Sequence, residues 1–103
     1  MKVIWSDLAA IELQDTADYL LAEYGAYQQD LFLSEIDHLA QLLAANPFMG
    51  KAEPLLDGLP HLFRSIVVTH VNKLIYTISN DTIEIVDFWD TRRNPQTLVE
   101  RLS

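Results

Sequence analysis

Between residues 47 and 60 the hydrophobic period of the chain changes, and this limits the folds open to it more than any other feature. Upstream, Ala10, Leu13, Ala17, Leu20 and Tyr24 recur at spacings of three and four, with Glu12, Asp15, Asp18 and Glu23 between them. Leu31, Phe32, Ile36, Leu39 and Leu43 form a second such stripe. Both are patterns of amphipathic helices, each with one apolar side to bury. Downstream, 62–69 (LFRSIVVT), 73–78 (KLIYTI) and 82–89 (TIEIVDFW) alternate or run apolar and are rich in Val, Ile, Tyr, Phe and Trp. That pattern predicts three strands. The segment 47–60 holds prolines 47, 54 and 60 and glycines 50 and 58, so it reads as an irregular crossover. A chain of 103 residues is too short for two independent cores, so the helical and strand halves are expected to make one domain over residues 1–103.

Short signals mark the joints. KVIW at 2–5 is an apolar run ended by Ser6, whose hydroxyl is suited to cap a following helix, with Asp7 at its positive end. Gly25 is placed to close the first helix, and so short a link makes the two helices antiparallel. Asn46-Pro47 stops the second helix. Ser79-Asn80-Asp81 is a tight-turn sequence between the last two strands, and Asn94-Pro95 ends the sheet, leaving 96–102 as a last turn of helix or a loose tail. The expected fold is α+β in the order β-α-α-β-β-β, an antiparallel sheet packed against an N-terminal helical hairpin. One sheet face and at least one strand edge would stay open.

The net charge of −8 is unevenly spread. Residues 1–50 carry one lysine against eight acids, whereas residues 51–103 carry six bases against seven acids. Because phosphate binding depends on clustered Lys and Arg, direct binding of free nucleic acid is not expected. The absence of cysteine excludes thiolate metal sites and cysteine nucleophiles and fits a reducing, cytoplasmic compartment. No apolar run approaches the roughly 20 residues of a membrane span, so no membrane association is expected.

No cofactor motif is present, and His38, His61 and His70 lack metal-ligand spacing. Along the last strand, alternation assigns Glu84 and Asp90 to one face and Asp87 to the other, which gives no shared cation site. The residues left to carry chemistry are Arg64, His70, Lys73, Tyr76, Trp89, Arg92 and Arg93. Arg64 shares a strand face with Leu62, Ile66 and Val68, where a charge must reach a groove edge or pair with a carboxylate such as Asp87. Trp89 and Tyr76 fit either core packing or a binding surface, and Arg92-Arg93 either a solvated turn or a target contact.

Three pieces in this order, VIWSDLAAIELQDTADYL, LLAANPFMGKAEPLLDGLPHLFR and KLIYTISNDTIEIVDFWDTRRNP, resemble the RelE/ParE toxin superfamily of bacterial type II toxin–antitoxin modules, most closely its ParE-like branch. The resemblance implies a toxin that inhibits a target such as DNA gyrase by binding it and that a cognate antitoxin neutralises. Arg64, Trp89, Arg92 and Arg93 are then the target-binding candidates. For the RelE-like alternative, a ribosome-dependent mRNA interferase, similarity places Glu53 near an acid-base position and Lys73 near a catalytic or phosphate-holding one, with Arg64 as the remaining cation. This chain has Trp89-Asp90 where such nucleases often have His or Tyr. A third reading is a non-toxic binding module of the same fold. An antitoxin segment is expected to add an extended piece and an amphipathic helix, rimmed by Lys and Arg to match the acidic helices, with Arg64 bonding to it.

Overall fold

Ser6 ends the first strand and starts the first helix through one hydroxyl. Its Oγ accepts the Ala9 N–H at 3.1 Å as the helix cap and donates to the Val86 carbonyl at 3.2 Å, while its own N–H reaches the Ile85 carbonyl at 2.9 Å. In the computed structural model, which describes residues 1–103, β1 (Lys2–Trp5) is followed by α1 (Asp7–Tyr24) and α2 (Ala26–Ala45). The crossover contains a two-residue strand β2 (Lys51–Ala52) and a 3₁₀ turn at Pro54–Leu56. Strands β3 (Arg64–Val67), β4 (Asn72–Ser79) and β5 (Thr82–Asp90) and helix α3 (Pro95–Leu102) complete the chain. The architecture is α+β as the periodicity predicts, and the expected β-α-α-β-β-β order is β1, α1, α2, β3, β4 and β5, to which the structure adds β2 and α3.

Three features differ from that expectation. The sheet, ordered β1-β5-β4-β3-β2, is mixed, because β1 lies parallel to β5 with Val3 opposite Ile83 and Trp5 opposite Ile85. The proline-rich crossover is less irregular than its composition, since Lys51 and Ala52 pair with Ser65 and Arg64. The second sheet face is not open: α3 and the 3₁₀ turn cover part of it, burying Leu56, Phe63, Ile75, Trp89 and Leu98 together. Asn94 caps α3 by accepting the Gln96 N–H at 3.0 Å, and Pro95 takes the first helical position, where no N–H is needed.

On the helical face, Ala9, Leu43, Leu74, Tyr76, Ile83 and Ile85 form one fully buried cluster. Ala17, Phe32, Ile36 and Phe88 form another, with the Phe32 and Phe88 rings edge to face at 5.9 Å. The buried stripe of α1 is thus shifted by one residue at its start, Ala9 replacing Ala10, and Tyr24 is exposed. Between β4 and β5 the register slips: Tyr76 faces Ile85 and Ile75 faces Asp87, so Val86 is an unpaired bulge. The bulge inverts the alternation beyond it. Phe88 points to the helices and Trp89 to α3, and Asp87 moves to the same side as Glu84, opposite to the assignment from simple alternation.

The Tyr76 hydroxyl ties the end of α2 to the sheet. It donates to the Pro47 carbonyl at 2.7 Å and accepts the Gly50 N–H at 2.9 Å. Burial holds this phenol above its ordinary pKa, so it stays a neutral group able to do both. Gly50 is required by closeness: a Cβ there would lie 2.7 Å from the Tyr76 ring and 2.9 Å from the Ser65 carbonyl. Replacing Tyr76 by Phe leaves a buried N–H and a carbonyl without partners and is expected to cost about 2 kcal/mol. Gly50→Ala should cost at least as much, because a backbone carbonyl must move. Urea midpoints of both variants against the parent measure this, and a Tyr76→Phe loss below about 0.5 kcal/mol would show that water replaces the hydroxyl.

Candidate functional site

The expected site residues fall into three separate places. Arg64 stands on the helical face of β3, directly across from Tyr76. Its Nη1 donates to the Gly50 carbonyl at 2.8 Å, and its guanidinium lies 5.1 Å from the centre of the exposed Phe48 ring. It makes no ion pair. The anticipated bond to Asp87 is impossible, because the bulge puts Asp87 on the opposite face.

Glu53 and Lys73 meet on that opposite face. Lys73 lies between Val67 and Trp89 in the sheet, and Glu53 is placed beside it by its N–H bond to the Phe63 carbonyl, which continues the β2–β3 pairing by one residue. The Lys73 ammonium bonds Glu53 Oε1. The Glu53 side chain is fully buried, and its other oxygen has no partner. Two of the three nuclease candidates are thus brought together and locked to each other, with Arg64 across the sheet from them.

The third place is the turn after β5. Trp89 is only 1% exposed and belongs to the core under α3, so its ring offers no surface to a target in this conformation. Arg93 and Arg101 lie over it, 5.0 and 5.5 Å from the ring centre. Arg93 also stands 3.6 Å from Glu12. Arg92 is the exposed member of the turn, with 70% of its side chain accessible, and its Nε and Nη2 grip Asp90 at 3.0 and 2.7 Å. That bidentate bond holds the Asp90 carboxyl below the usual range. Sequence reasoning missed Arg101, whose Nη2 bonds both Glu12, at 3.0 Å, and Asp87, at 3.2 Å. The only signal for it was a cation in the last turn of a helical pattern.

A groove of about 670 Å³ opens between the free end of the helical hairpin and the β3–β4 turn. Leu20, Leu31 and Phe32 give it an apolar floor, Tyr19 and Tyr24 flank it, and Asp15, Glu35 and Asp90 bring carboxylates to it. His70, singled out in the sequence, stands at its rim, where Thr69 Oγ1 accepts the N–H groups of Val71 and Asn72 and fixes the turn. No group of three His, Cys, Asp or Glu side chains is placed to hold a metal ion, and no helix is long and apolar enough to cross a membrane.

A family model described as the ParE toxin of type II toxin–antitoxin systems, parDE, matches residues 3–95. No curated protein matches the chain by sequence. Among solved structures, the chain resembles the chromosomal ParDE toxin–antitoxin system of P. aeruginosa with a TM-score of 0.70 at 16% identity, over 87% of this chain and 95% of that one. It resembles the YoeB/ParE toxin of Agrobacterium tumefaciens with a TM-score of 0.58 at 19% identity, over 87% and 98%. For the YoeB–YefM complex of Staphylococcus aureus the TM-score is 0.55 at 18% identity, over 86% and 94%. At these identities the structures speak for the fold, and the family match speaks for descent.

The buried pair yields a stability test. Lys73→Met leaves the Glu53 carboxylate buried and unpaired and is expected to cost roughly 3 kcal/mol, of which Lys73→Met with Glu53→Gln recovers most. A loss in the double variant equal to the sum of the Lys73→Met and Glu53→Gln losses would show that the two residues act independently.

Proposed function

Since this chain belongs to the ParE toxin family of type II toxin–antitoxin systems, we propose that it is a toxin that acts by holding a macromolecular target, such as DNA gyrase, rather than by cutting RNA. The observation that carries this reading is the disposition of Glu53, Lys73 and Arg64. Cleavage by attack of a 2′-hydroxyl needs a base, an acid and cations converging on one phosphate. Here Glu53 is buried against Lys73, and Arg64 is on the other side of the sheet, bound to a backbone carbonyl. The exposed turn bearing Arg92 is the target contact we favour, because it is the part of the candidate set that projects from the fold.

Primer extension on ribosome-bound message should show no codon-register cuts. Cuts that vanish in Glu53→Gln would overturn the reading in favour of an mRNA interferase. If the protein inhibits gyrase, supercoiling should be blocked by the parent and restored by Arg92→Ala, whose stability should stay within about 0.5 kcal/mol of the parent because the residue is exposed. Full inhibition by a well-folded Arg92→Ala would remove the turn from the target site.

A cognate antitoxin completes the module, and we place its helical segment in the groove between the hairpin and the β3–β4 turn. The groove joins an apolar floor to Asp15, Glu35 and Asp90, and its hairpin side comes from the half of the chain with one lysine against eight acids, with Arg92 at the opposite side. An amphipathic helix with Lys and Arg beside its apolar stripe matches both. Its association should slow as salt rises, and Asp15→Asn with Glu35→Gln should remove most of that dependence. Salt-independent binding of the co-expressed neighbour would argue for a different seat.

A further inference from the structure

Asp87 is a buried carboxylate that neither the toxin reading nor simple packing explains. The bulge at Val86 turns it towards α3, and its side chain is wholly inaccessible. One oxygen accepts a single bond, from Arg101 Nη2 at 3.2 Å, while Oδ2 has no partner; Arg101 Nε, also buried, has none either. The groups facing Asp87 come from three other elements: Arg101 from α3, Glu12 from α1 and Arg93 from the turn before α3. A carboxylate so placed is poorly solvated when charged, and opening the cover would return both orphaned atoms to water.

The cover is slight. Helix α3 has eight residues, too few to stay helical in water alone, so it is either docked or unfolded. It is anchored by buried Leu98, by partly buried Val99 and Leu102, and by the Arg101 contacts to Asp87 and Glu12. Helix and carboxylate therefore share one interface.

We propose that α3 is a proton-controlled latch, held down most firmly when Asp87 is neutral and released more readily when Asp87 is charged, uncovering the Trp89 ring that Arg101 covers while α3 is docked. The latch itself does not depend on the toxin reading, although Trp89 and Arg93 are residues that reading would use. Burial pushes the docked carboxyl up to about 6, against the pull of Arg101, whereas with α3 undocked the group faces water and titrates near its ordinary value. The sign follows from linkage: the docked state binds the proton more tightly, so docking is favoured below the undocked pKa and that advantage is lost as pH rises through about 6.

Native-state amide exchange on the full chain, corrected for intrinsic rates, reads the opening directly. The amides of Val99 to Leu102 should open by a sub-global route, with an opening constant about tenfold larger at pH 7.5 than at pH 5. In Asp87→Asn that difference should disappear, with α3 protected at both pH values. A carbon-detected titration of the Asp87 carboxyl in the unmodified protein serves as a second measurement, and the α3 amide shifts should follow its midpoint. Exchange of α3 only through global unfolding, a pH dependence that persists in Asp87→Asn, or α3 amides silent through the Asp87 titration would each overturn the latch.

Discussion

The unpaired residue at Val86 is the constraint on which the rest of the molecule depends. A strand of nine residues with strict alternation would send Ile83, Ile85 and Asp87 to one face, placing a carboxylate under the helices. Slipping one residue lets Ile83, Ile85 and then Phe88 face the helical hairpin, while Trp89 faces α3. Both sides of the sheet thereby acquire a core from a single strand. The bulge is held from outside by Ser6, whose hydroxyl bonds the Val86 carbonyl while capping α1, so the point where β1 ends and the point where β5 slips are the same place.

That slip also sorts the charges. Glu53 and Asp87, the two carboxylates with fully buried side chains, lie on the side of α3, and each has one cationic partner and one oxygen left over. On the helical side the acids stay in water and gather around the groove at the end of the hairpin. Four of the six cations of the second half are paired within the chain: Lys73 with Glu53, Arg92 with Asp90, Arg93 and Arg101 with Glu12, Asp87 and the Trp89 ring, while Lys51 has no ion pair. Arg64 stands apart, answered by a carbonyl and the Phe48 ring. Because these pairings use acids as well as bases, the net charge of −8 still falls mainly on the helical half, which bears on which partners approach it and from which side.

Much of the fold was legible in the residues because its signals are local. The helical stripes, the Ser6 cap, the stop at Asn46-Pro47 and the turn at Asn80, found at φ 55°, each need only neighbouring residues to act. The helical fate of 95–102 was legible only as one of two options, since eight residues hold a helix only against Leu56, Phe63 and Trp89, which are far away in sequence. Of the candidate site, the types of residue were readable and their grouping was not. Glu53 and Lys73 stand twenty residues apart in the chain and prove to be one pair, Trp89 fits either core or surface by its type and is core, and of the two options open to Arg64 the bulge removes the pairing with Asp87.

What the sequence determined by itself is whatever depends on period, capping and composition: an α+β domain in a stated order, an acidic helical half, and a membership that its motif order already suggested. What only the tertiary structure decided is direction and partnership. Nothing in KVIW states that β1 runs parallel to β5, and nothing in TIEIVDFW marks Val86 as the residue to leave unpaired, because both follow from bonds between distant segments, with β1 and Ser6 along one edge of β5 and β4 along the other. A one-residue shift in register exchanges the faces of every side chain beyond it, so long-range hydrogen bonding settles which charges are buried, which are paired and which remain to meet another molecule.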